Sequence, residues 1–173
     1  MHKKVAFIGS VGSGKTTIIE SLSNIHTINT DVQSSVDIGK ELTTVGIDYG
    51  HLVVNQDTTL GLYGVPGQRQ YSLVWDFVKK GLWAICILVK NNESDSWQEV
   101  SYLIDYFEIH KGMPCVIGIT HADQGCDQHT VHSINQILAK HQLNIPVYTI
   151  DPRQRDSANL IMQTLIALEE AVT

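Results

Sequence analysis

The 173-residue sequence has no uninterrupted apolar segment long enough for a transmembrane helix and no signal-peptide pattern after its first charges. It contains only three cysteines, an odd number whose spacing matches no zinc or redox motif. Acidic residues outnumber basic ones, and the formal net charge of −6 argues against a broad nucleic-acid-binding surface. Neither end carries a lipidation motif. We therefore expect a cytoplasmic protein without a direct membrane anchor or a nucleic-acid partner.

The amino-acid composition is that of an ordinary globular domain. Hydrophobic residues make up 43% and charged residues 17% of the chain, whose length is sufficient for one full core. No internal repeat, low-complexity tract or linker divides the sequence. We therefore predict a single domain over residues 1–173.

A stretch near the N-terminus carries the strongest chemical signal. It reads Gly9-Ser10-Val11-Gly12-Ser13-Gly14-Lys15-Thr16 and fits the pattern G-x-x-x-x-G-K-[ST] of a phosphate-binding P-loop. An apolar strand-like run precedes it, and a helix-like run from Thr17 follows it. Backbone N–H groups of such a loop surround phosphates, while Lys15 would neutralise the β- and γ-phosphates and Thr16 would ligate Mg²⁺. The sequence therefore predicts binding of a nucleoside triphosphate with Mg²⁺.

The rest of the chain alternates between strand-like and helix-like segments. We predict strands over 3–8, 44–54, 58–63, 82–89, 114–120 and 146–150, and helices over 15–24, 68–80, 94–110, 127–141 and 156–171. Residues 25–42 are polar without clear periodicity and are predicted to form a long mobile loop. The alternation predicts an α/β fold: a doubly wound, mostly parallel six-stranded sheet with five helices and ligands at the carboxyl ends of the strands.

The order of the motifs resembles that of the Ras-like small GTPases. Thr44-Val45-Gly46-Ile47-Asp48-Tyr49 resembles their first switch, Pro66-Gly67-Gln68 the second, and Thr120-His121-Ala122-Asp123 the guanine-reading [NT]-K-x-D. The longer phrases "TTVGIDYG", "LYGVPGQ", "VWDFVKKG" and "DPRQRDS" are similar to a bacterial branch that includes the actinobacterial conservon small GTPases. The bacterial gliding-motility small GTPases are more distant. The resemblance covers nearly the whole chain.

This resemblance implies a GTP/GDP-dependent molecular switch that hydrolyses GTP. The implied nucleotide contacts are Gly9, Ser10, Val11, Gly12, Ser13, Gly14, Lys15, Thr16, Thr17, Thr44, Gly67, Thr120, His121 and Asp123. Thr16 and Thr44 would hold Mg²⁺, and Gln68 would orient the attacking water. Arg69 is either an internal arginine finger or a solvated loop residue. On the same resemblance we expect a roadblock-fold regulatory protein as a partner, and Trp75, if exposed, would be a plausible anchor for it.

Base recognition is predicted at Asp123. Its carboxylate would accept hydrogen bonds from N1–H and the exocyclic amine of guanine and would repel the ring acceptor of adenine. His121 replaces the usual Lys, and an imidazole could stack over the base as well. The alternative for Asp123 is a cap on the helix that begins near Asp127.

Two departures from the family pattern affect metal binding and rate. Gly64 stands where the second switch usually has an Asp that holds Mg²⁺ through water, so metal affinity would be lower or another carboxylate would substitute. Val11 would project toward the γ-phosphate, into the space that Gln68 needs. We therefore expect intrinsically slow, partner-assisted hydrolysis.

Several alternatives remain open on the sequence alone. Gly64 and Val11 also favour a nucleotide-binding scaffold with negligible hydrolysis. A P-loop small-molecule kinase is less favoured, because such kinases usually carry an Arg-rich lid segment and this sequence has no such segment. Thr44 could serve strand formation instead, with Thr43 as the other candidate ligand, and Gln68 could be an ordinary polar loop residue.

Overall fold

The structure, a computed structural model, describes the backbone of residues 2–34 and 43–172 and the side chains of residues 2–29 and 46–171. Seven strands are formed in this part of the chain: β1 (His2–Gly9), β2 (Ile28–Ser34), β3 (Thr43–Val53), β4 (Thr59–Pro66), β5 (Leu82–Lys90), β6 (Cys115–Thr120) and β7 (Val147–Thr149). Five α-helices accompany them: α1 (Lys15–Leu22), α2 (Ser72–Lys79), α3 (Ser94–Tyr106), α4 (Gln128–Lys140) and α5 (Arg155–Val172).

The strands make one mixed sheet in the order β2-β3-β4-β1-β5-β6-β7. The five strands from β4 to β7 in this order pair in parallel, whereas β2, β3 and β4 pair antiparallel. Parallel strands end at a common edge, so the loops after β1, β5, β6 and β7 lie together. The predicted mostly parallel α/β fold with five helices is confirmed.

Helices cover both faces of the sheet, which makes it doubly wound. On one face α2, α3 and α4 pack on a buried apolar cluster, and on the other face α1 and α5 pack on a second cluster. Successive residues of a strand point to opposite faces, so Ala6 and Ile8 join the first cluster while Val5 and Phe7 join the second. The central strands are therefore apolar on both sides, which explains their continuous hydrophobic runs.

The prediction of six strands is wrong. The additional strand β2 (Ile28–Ser34) lies within the segment that was predicted to be a long loop, and it pairs with β3 at the edge of the sheet. An edge strand is held by backbone pairing with one neighbour and does not need alternating apolar residues. A search for apolar periodicity therefore does not detect such a strand. The other part of the predicted loop, residues 35–42, lies outside the described residues.

Two predicted helices differ in detail from the observed ones. The helix predicted over 68–80 starts with a 3-10 turn at Arg69–Tyr71, and the one predicted over 94–110 ends at Tyr106, before a left-handed Glu108 with φ 54°.

Trp75 on α2 is fully buried and donates a hydrogen bond to the Pro66 carbonyl at 2.7 Å, so it is a core residue and not an exposed anchor. Within the described residues, no helix has the length and apolar character needed to cross a membrane.

Candidate functional site

The P-loop leaves the end of β1 and enters α1 through two glycines in left-handed conformation. Gly12 has φ 71° and Gly14 has φ 102°, values that side-chain-bearing residues rarely adopt. A Cβ at Gly14 would also lie 2.6 Å from Cγ of Pro152, in the loop after β7. The backbone therefore favours glycine both at Gly14, which belongs to the pattern, and at Gly12, which does not, and the loop is packed against the segment that follows β7.

Lys15 is held inside this loop. Its Nζ donates hydrogen bonds to the carbonyls of Gly9 at 2.9 Å and Ser10 at 2.8 Å. Burial lowers the pKa of Lys15 to about 8, an effect that the nearby Asp48 carboxylate opposes and the Lys90 ammonium reinforces. The ammonium group is thus desolvated and held by two carbonyl groups of the loop.

Asp48 is a site residue that the sequence analysis did not assign. It lies on β3 directly opposite Gly64 on β4, and its carboxylate accepts a hydrogen bond from the hydroxyl of Thr16. A Cβ at Gly64 would lie 3.1 Å from both Cβ and Oδ2 of Asp48, and 3.0 Å from Cδ1 of Ile19. The space next to position 64 is therefore taken by the Asp48 carboxylate.

A pocket of about 300 Å³ lies on this side of the P-loop. Its lining residues come from the P-loop, β3, β4 and the second switch: Val11, Gly12, Lys15, Thr16, Gly46, Asp48, Gly64, Pro66 and Tyr71. The Thr16 hydroxyl and the Asp48 carboxylate are oxygen donors, which fit Mg²⁺. Thr43 and Thr44 lie in β3, opposite Ser34 and Gln33, but their side chains are outside the described part of the structure.

Among the described residues, no group of three or more His, Cys, Asp or Glu side chains forms a metal site. Mg²⁺ usually keeps several waters and is held by one or two carboxylates with substrate phosphates, so the Thr16 hydroxyl and the Asp48 carboxylate are donors of a kind that it uses. His129 and His132 are exposed on α4. The His129 ring packs edge-on against Trp97 at a centroid distance of 5.6 Å.

The segment predicted to be the second switch, Pro66-Gly67-Gln68, contacts the P-loop. The Gly67 N–H donates to the Gly9 carbonyl at 2.9 Å, and a Cβ at Gly67 would lie 3.2 Å from Cα of Gly9, so this close approach favours glycine. Gln68 follows and lines a pocket of about 570 Å³ between the P-loop and α3. Its Oε1 is buried and accepts no hydrogen bond within the described part of the chain. Val11 lines both this pocket and the pocket of Lys15, Thr16 and Asp48.

Arg69 is positioned against α3. Its Nε lies 3.0 Å from Oε2 of Glu99, and its guanidinium lies 4.4 Å from the centre of the Tyr102 ring. In this conformation neither Gln68 nor Arg69 lines the pocket that contains Lys15, Thr16 and Asp48. Their catalytic roles stay predictions that require movement of the second switch.

The other side of the P-loop is linked to the end of β6. The buried Thr120 hydroxyl donates to the Ser13 carbonyl at 2.9 Å, and its oxygen lies 2.9 Å from Nδ1 of His121. His121, the second residue of the predicted guanine motif, has φ 60°, in the left-handed region. The P-loop and the Thr120–Asp123 loop are thereby joined directly.

A pocket of about 190 Å³ lies between these loops. It is lined by Gly12, Gly14, Thr17, His121, Asp123, Ile150, Asp151, Pro152 and Arg153. Asp123 does not cap α4, because the N-cap of that helix is Asp127, which accepts a hydrogen bond from the Thr130 N–H at 3.2 Å. The Asp123 carboxylate instead accepts a hydrogen bond from Nη2 of Arg153 at 3.1 Å.

The structure thus brings most of the predicted nucleotide contacts together around one loop, and it adds four charged residues. Asp48 lines the pocket of Lys15 and Thr16, and Lys90 lines the neighbouring pocket at α3, where a Cβ at Gly12 would lie 3.8 Å from its ammonium. Asp151 and Arg153 join the pocket of Asp123. Arg153 and Asp151 belong to the phrase "DPRQRDS", whose resemblance was noted without a role for its residues.

Comparison with known proteins defines the fold. No protein-family model and no curated protein matches the sequence. The structure is similar to the G domain of the T. maritima FeoB iron transporter, with a TM-score of 0.66 over 98% of this chain and 99% of that chain at 16% identity. It is also similar to the cytosolic domain of the same transporter in apo form, with a TM-score of 0.62 over 96% of this chain and 64% of that chain at 16% identity. The chain therefore has the fold of a P-loop G domain.

Proposed function

We propose that this chain is a small GTP-binding protein that acts as a GTP/GDP-dependent molecular switch, with slow, partner-assisted hydrolysis of GTP. The observation that carries the proposal is that one P-loop borders two chemically different pockets. Lys15, Thr16 and Asp48 lie on one side, Asp123 lies on the other, and Gly12 lines both. A guanine nucleotide would place its phosphates in the first pocket and its base in the second.

On the phosphate side, the residues would supply an ammonium group for the phosphates and oxygen donors for Mg²⁺. Lys15 would exchange the Gly9 and Ser10 carbonyls for phosphate oxygens, with a gain from charge-assisted hydrogen bonds. Thr16, together with Thr44 on the family resemblance, would hold the metal. Asp48 would supply the carboxylate that Gly64 lacks. Bound Mg²⁺ would neutralise phosphate charge at this site.

On the base side, Asp123 would favour guanine. Its carboxylate can accept hydrogen bonds from N1–H and the exocyclic amine, whereas the unprotonated ring nitrogen of adenine would face it as a second acceptor. His121 would stack over the base. The side chain of Asp123 is 71% exposed, so it is accessible to a ligand.

Slow hydrolysis is supported by the positions of the predicted catalytic side chains. Gln68 faces the pocket at α3, Arg69 is paired with Glu99, and Val11 lies between that pocket and the phosphate side. Positioning controls phosphoryl transfer, so misplacement of these groups would make the reaction slow. A partner that moves the second switch would bring Gln68 or Arg69 to the phosphate. The same positions favour the second candidate, a nucleotide-binding scaffold with negligible hydrolysis.

Partner binding is supported by two apolar side chains next to the second switch. Leu73 is 51% exposed and Phe77 is 59% exposed, and they lie one turn apart on α2. On the resemblance to bacterial small GTPases, we propose a roadblock-fold regulatory protein as the partner.

The test is to incubate purified protein and Mg²⁺ with GTP or ATP and to separate bound and released nucleotides by chromatography. A switch converts GTP slowly to GDP and leaves ATP unchanged. Retention of guanine nucleotide without any GDP formation, with or without the co-purified partner, would support the scaffold. Consumption of ATP only with a small-molecule acceptor would contradict both and support a kinase.

A further inference from the structure

The loop after β7 closes one side of the Asp123 pocket but offers it no uncommitted backbone donor. The Asp151 N–H donates to the Ser157 hydroxyl at 3.2 Å, and the Arg153 N–H donates to Oδ1 of Asp151 at 3.0 Å. Between them, Pro152 has no N–H. A hydrogen-bond acceptor on a ligand would therefore need a side-chain donor at this side of the pocket.

The loop that carries this side is fixed in place. The Pro152 carbonyl accepts a hydrogen bond from the Ser21 hydroxyl on α1 at 2.8 Å. The Pro152 ring packs so closely on the P-loop that a Cβ at Gly14 would lie 2.6 Å from its Cγ. The loop after β7 is thus held by α1 and by the phosphate-binding loop together.

Arg153 supplies the donors that the backbone lacks. Its Nε lies 2.9 Å from Oδ1 of Asp151 and its Nη2 lies 2.8 Å from Oδ2, which is a two-point contact with one carboxylate. Such a contact fixes the plane of a guanidinium. The same hydrogen bonds lower the pKa of Asp151, which is therefore ionised and committed to Arg153.

Asp123 completes the arrangement. Nη2 of Arg153 lies 3.1 Å from Oδ1 of Asp123, while Oδ2 of Asp123 accepts no hydrogen bond from the residues that the structure describes. The pocket therefore presents a carboxylate acceptor directly beside guanidinium donors. These two groups come from different loops and are 30 positions apart in the sequence.

This arrangement is complementary to one class of purine. A 6-oxopurine presents the N1–H donor beside the O6 acceptor, which matches Asp123 beside Arg153. Adenine presents the reverse, a ring acceptor beside an amine donor, so both contacts are mismatched. Two mismatched polar contacts discriminate more strongly than one.

We propose, on the basis of the guanine-nucleotide binding proposed above, that Arg153 is a specificity-determining residue that donates a hydrogen bond to O6 of the base. Asp151 holds the guanidinium, and Arg153 and Asp123 together select a 6-oxopurine nucleotide. The bidentate contact with Asp151 keeps Arg153 beside the pocket when the base hydrogen-bonds to the Asp123 carboxylate.

The test is a calorimetric titration of wild type, Arg153→Ala and Arg155→Ala with GDP, 6-thio-GDP and ADP. The 6-thio base keeps N1–H and the exocyclic amine, which Asp123 reads, but carries a weakly accepting sulfur at position 6. Arg155 is a matched control, because it is an exposed arginine two positions away that does not line the pocket. Arg153→Gln is the second variant if Arg153→Ala does not fold.

We expect wild type and Arg155→Ala to prefer GDP over 6-thio-GDP by about 10-fold, the value of one charge-assisted hydrogen bond. Arg153→Ala should bind the two nucleotides almost equally and lose about 10-fold of its preference for GDP over ADP. Unchanged ratios in Arg153→Ala would overturn the role of Arg153 while leaving the proposed function intact. Tighter GDP binding by Arg153→Ala would also overturn it, because Arg153 would then compete with the base. A wild type that does not prefer GDP to ADP would overturn the proposed function, and with it this inference.

Discussion

The two sides of the P-loop are built in different ways. The side proposed to bind the phosphates consists of consecutive loop residues and one hairpin, and burial of its cation, Lys15, lowers the pKa of that side chain to about 8. The base side is assembled from two loops distant in sequence, and its ion pair is open to solvent, with Asp123 71% and Arg153 68% exposed. Exposed ion pairs contribute little to folding stability, so Asp123 and Arg153 can serve recognition. The phosphate side should therefore control whether a nucleotide binds, and the base side which one.

Removing Lys15 should produce the largest effect. Lys15→Ala leaves the phosphates without the ammonium that the loop holds, and we expect a loss of GTP affinity of about 1,000-fold. Calorimetry with Mg²⁺ measures the loss, circular dichroism checks that the variant is folded, and Lys140→Ala, at the exposed end of α4, is the matched control. Unchanged affinity would contradict the assignment of the P-loop.

The second effect concerns hydrolysis with a partner. Single-turnover hydrolysis by lone wild type should be slow, and the co-purified partner should raise the rate by moving the second switch. The double variant Gln68→Ala, Arg69→Ala should lose about 100-fold of the stimulated rate.

Val11→Gly, which removes the branched side chain between the two pockets, tests whether steric obstruction limits the lone protein. Rapid hydrolysis by lone wild type, or normal stimulation of the double variant, would refute this part of the account.

The third effect concerns the carboxylate opposite Gly64. Asp48→Asn should weaken GTP binding in Mg²⁺ by about 30-fold and leave binding in EDTA nearly unchanged, because a metal-facing charge is lost. Asp156→Asn, at the start of α5, is the control. The double variant Asp48→Gly, Gly64→Asp moves the carboxylate across the hairpin and should restore part of the Mg²⁺ dependence. A Mg²⁺ dependence that survives Asp48→Asn would show that this residue does not serve the metal.

The smallest effect is a pH dependence on the phosphate side. Burial lowers the pKa of Lys15 from 10.5 to about 8, so the free protein loses this charge as the pH rises through 8. Phosphates favour the charged form, and GTP affinity should therefore fall by about 10-fold between pH 7 and pH 9. GMP carries the same base without the β- and γ-phosphates, and its affinity should fall much less. An equal fall for both nucleotides would exclude Lys15 as the cause.

The same lowered pKa affects folding stability in the opposite direction to GTP affinity: the free protein should become more stable as the pH rises. Between about pH 8 and pH 10.5 the unfolded chain binds more protons at Lys15 than the folded chain does. The contribution of Lys15 to the free energy of unfolding should therefore increase with pH across this window. Denaturant unfolding of wild type and Lys15→Met at pH 7.5 and pH 10 isolates that contribution.

The difference between the two sides also explains what could be predicted from the sequence. The P-loop residues are contiguous and match one motif, so the roles of Lys15 and Thr16 could be predicted from the sequence alone. The position of Asp48 could also have been predicted from the sequence. A hairpin with its turn at 55–57 pairs Asp48 with Gly64, and the sequence shows that position 64 lacks the usual carboxylate.

The base side was less accessible to such reasoning. The contact of Arg153 with Asp123 depends on how the loops after β6 and β7 converge, which no local pattern specifies. The same is true of Arg69, whose position against Glu99 and Tyr102 is set by the packing of the second switch on α3. The edge strand β2 was missed because backbone pairing with β3 holds it without apolar alternation.

The most direct test of the central claim, that one P-loop serves a phosphate pocket and a guanine-selective pocket, is displacement of a bound fluorescent GDP analogue by unlabelled nucleotides. For wild type with Mg²⁺, we expect GTP to displace the analogue at a concentration at least about 10-fold lower than ATP, and Asp123→Asn to reduce that ratio toward one. Equal displacement by GTP and ATP from wild type would contradict the account and would indicate an ATP-binding protein.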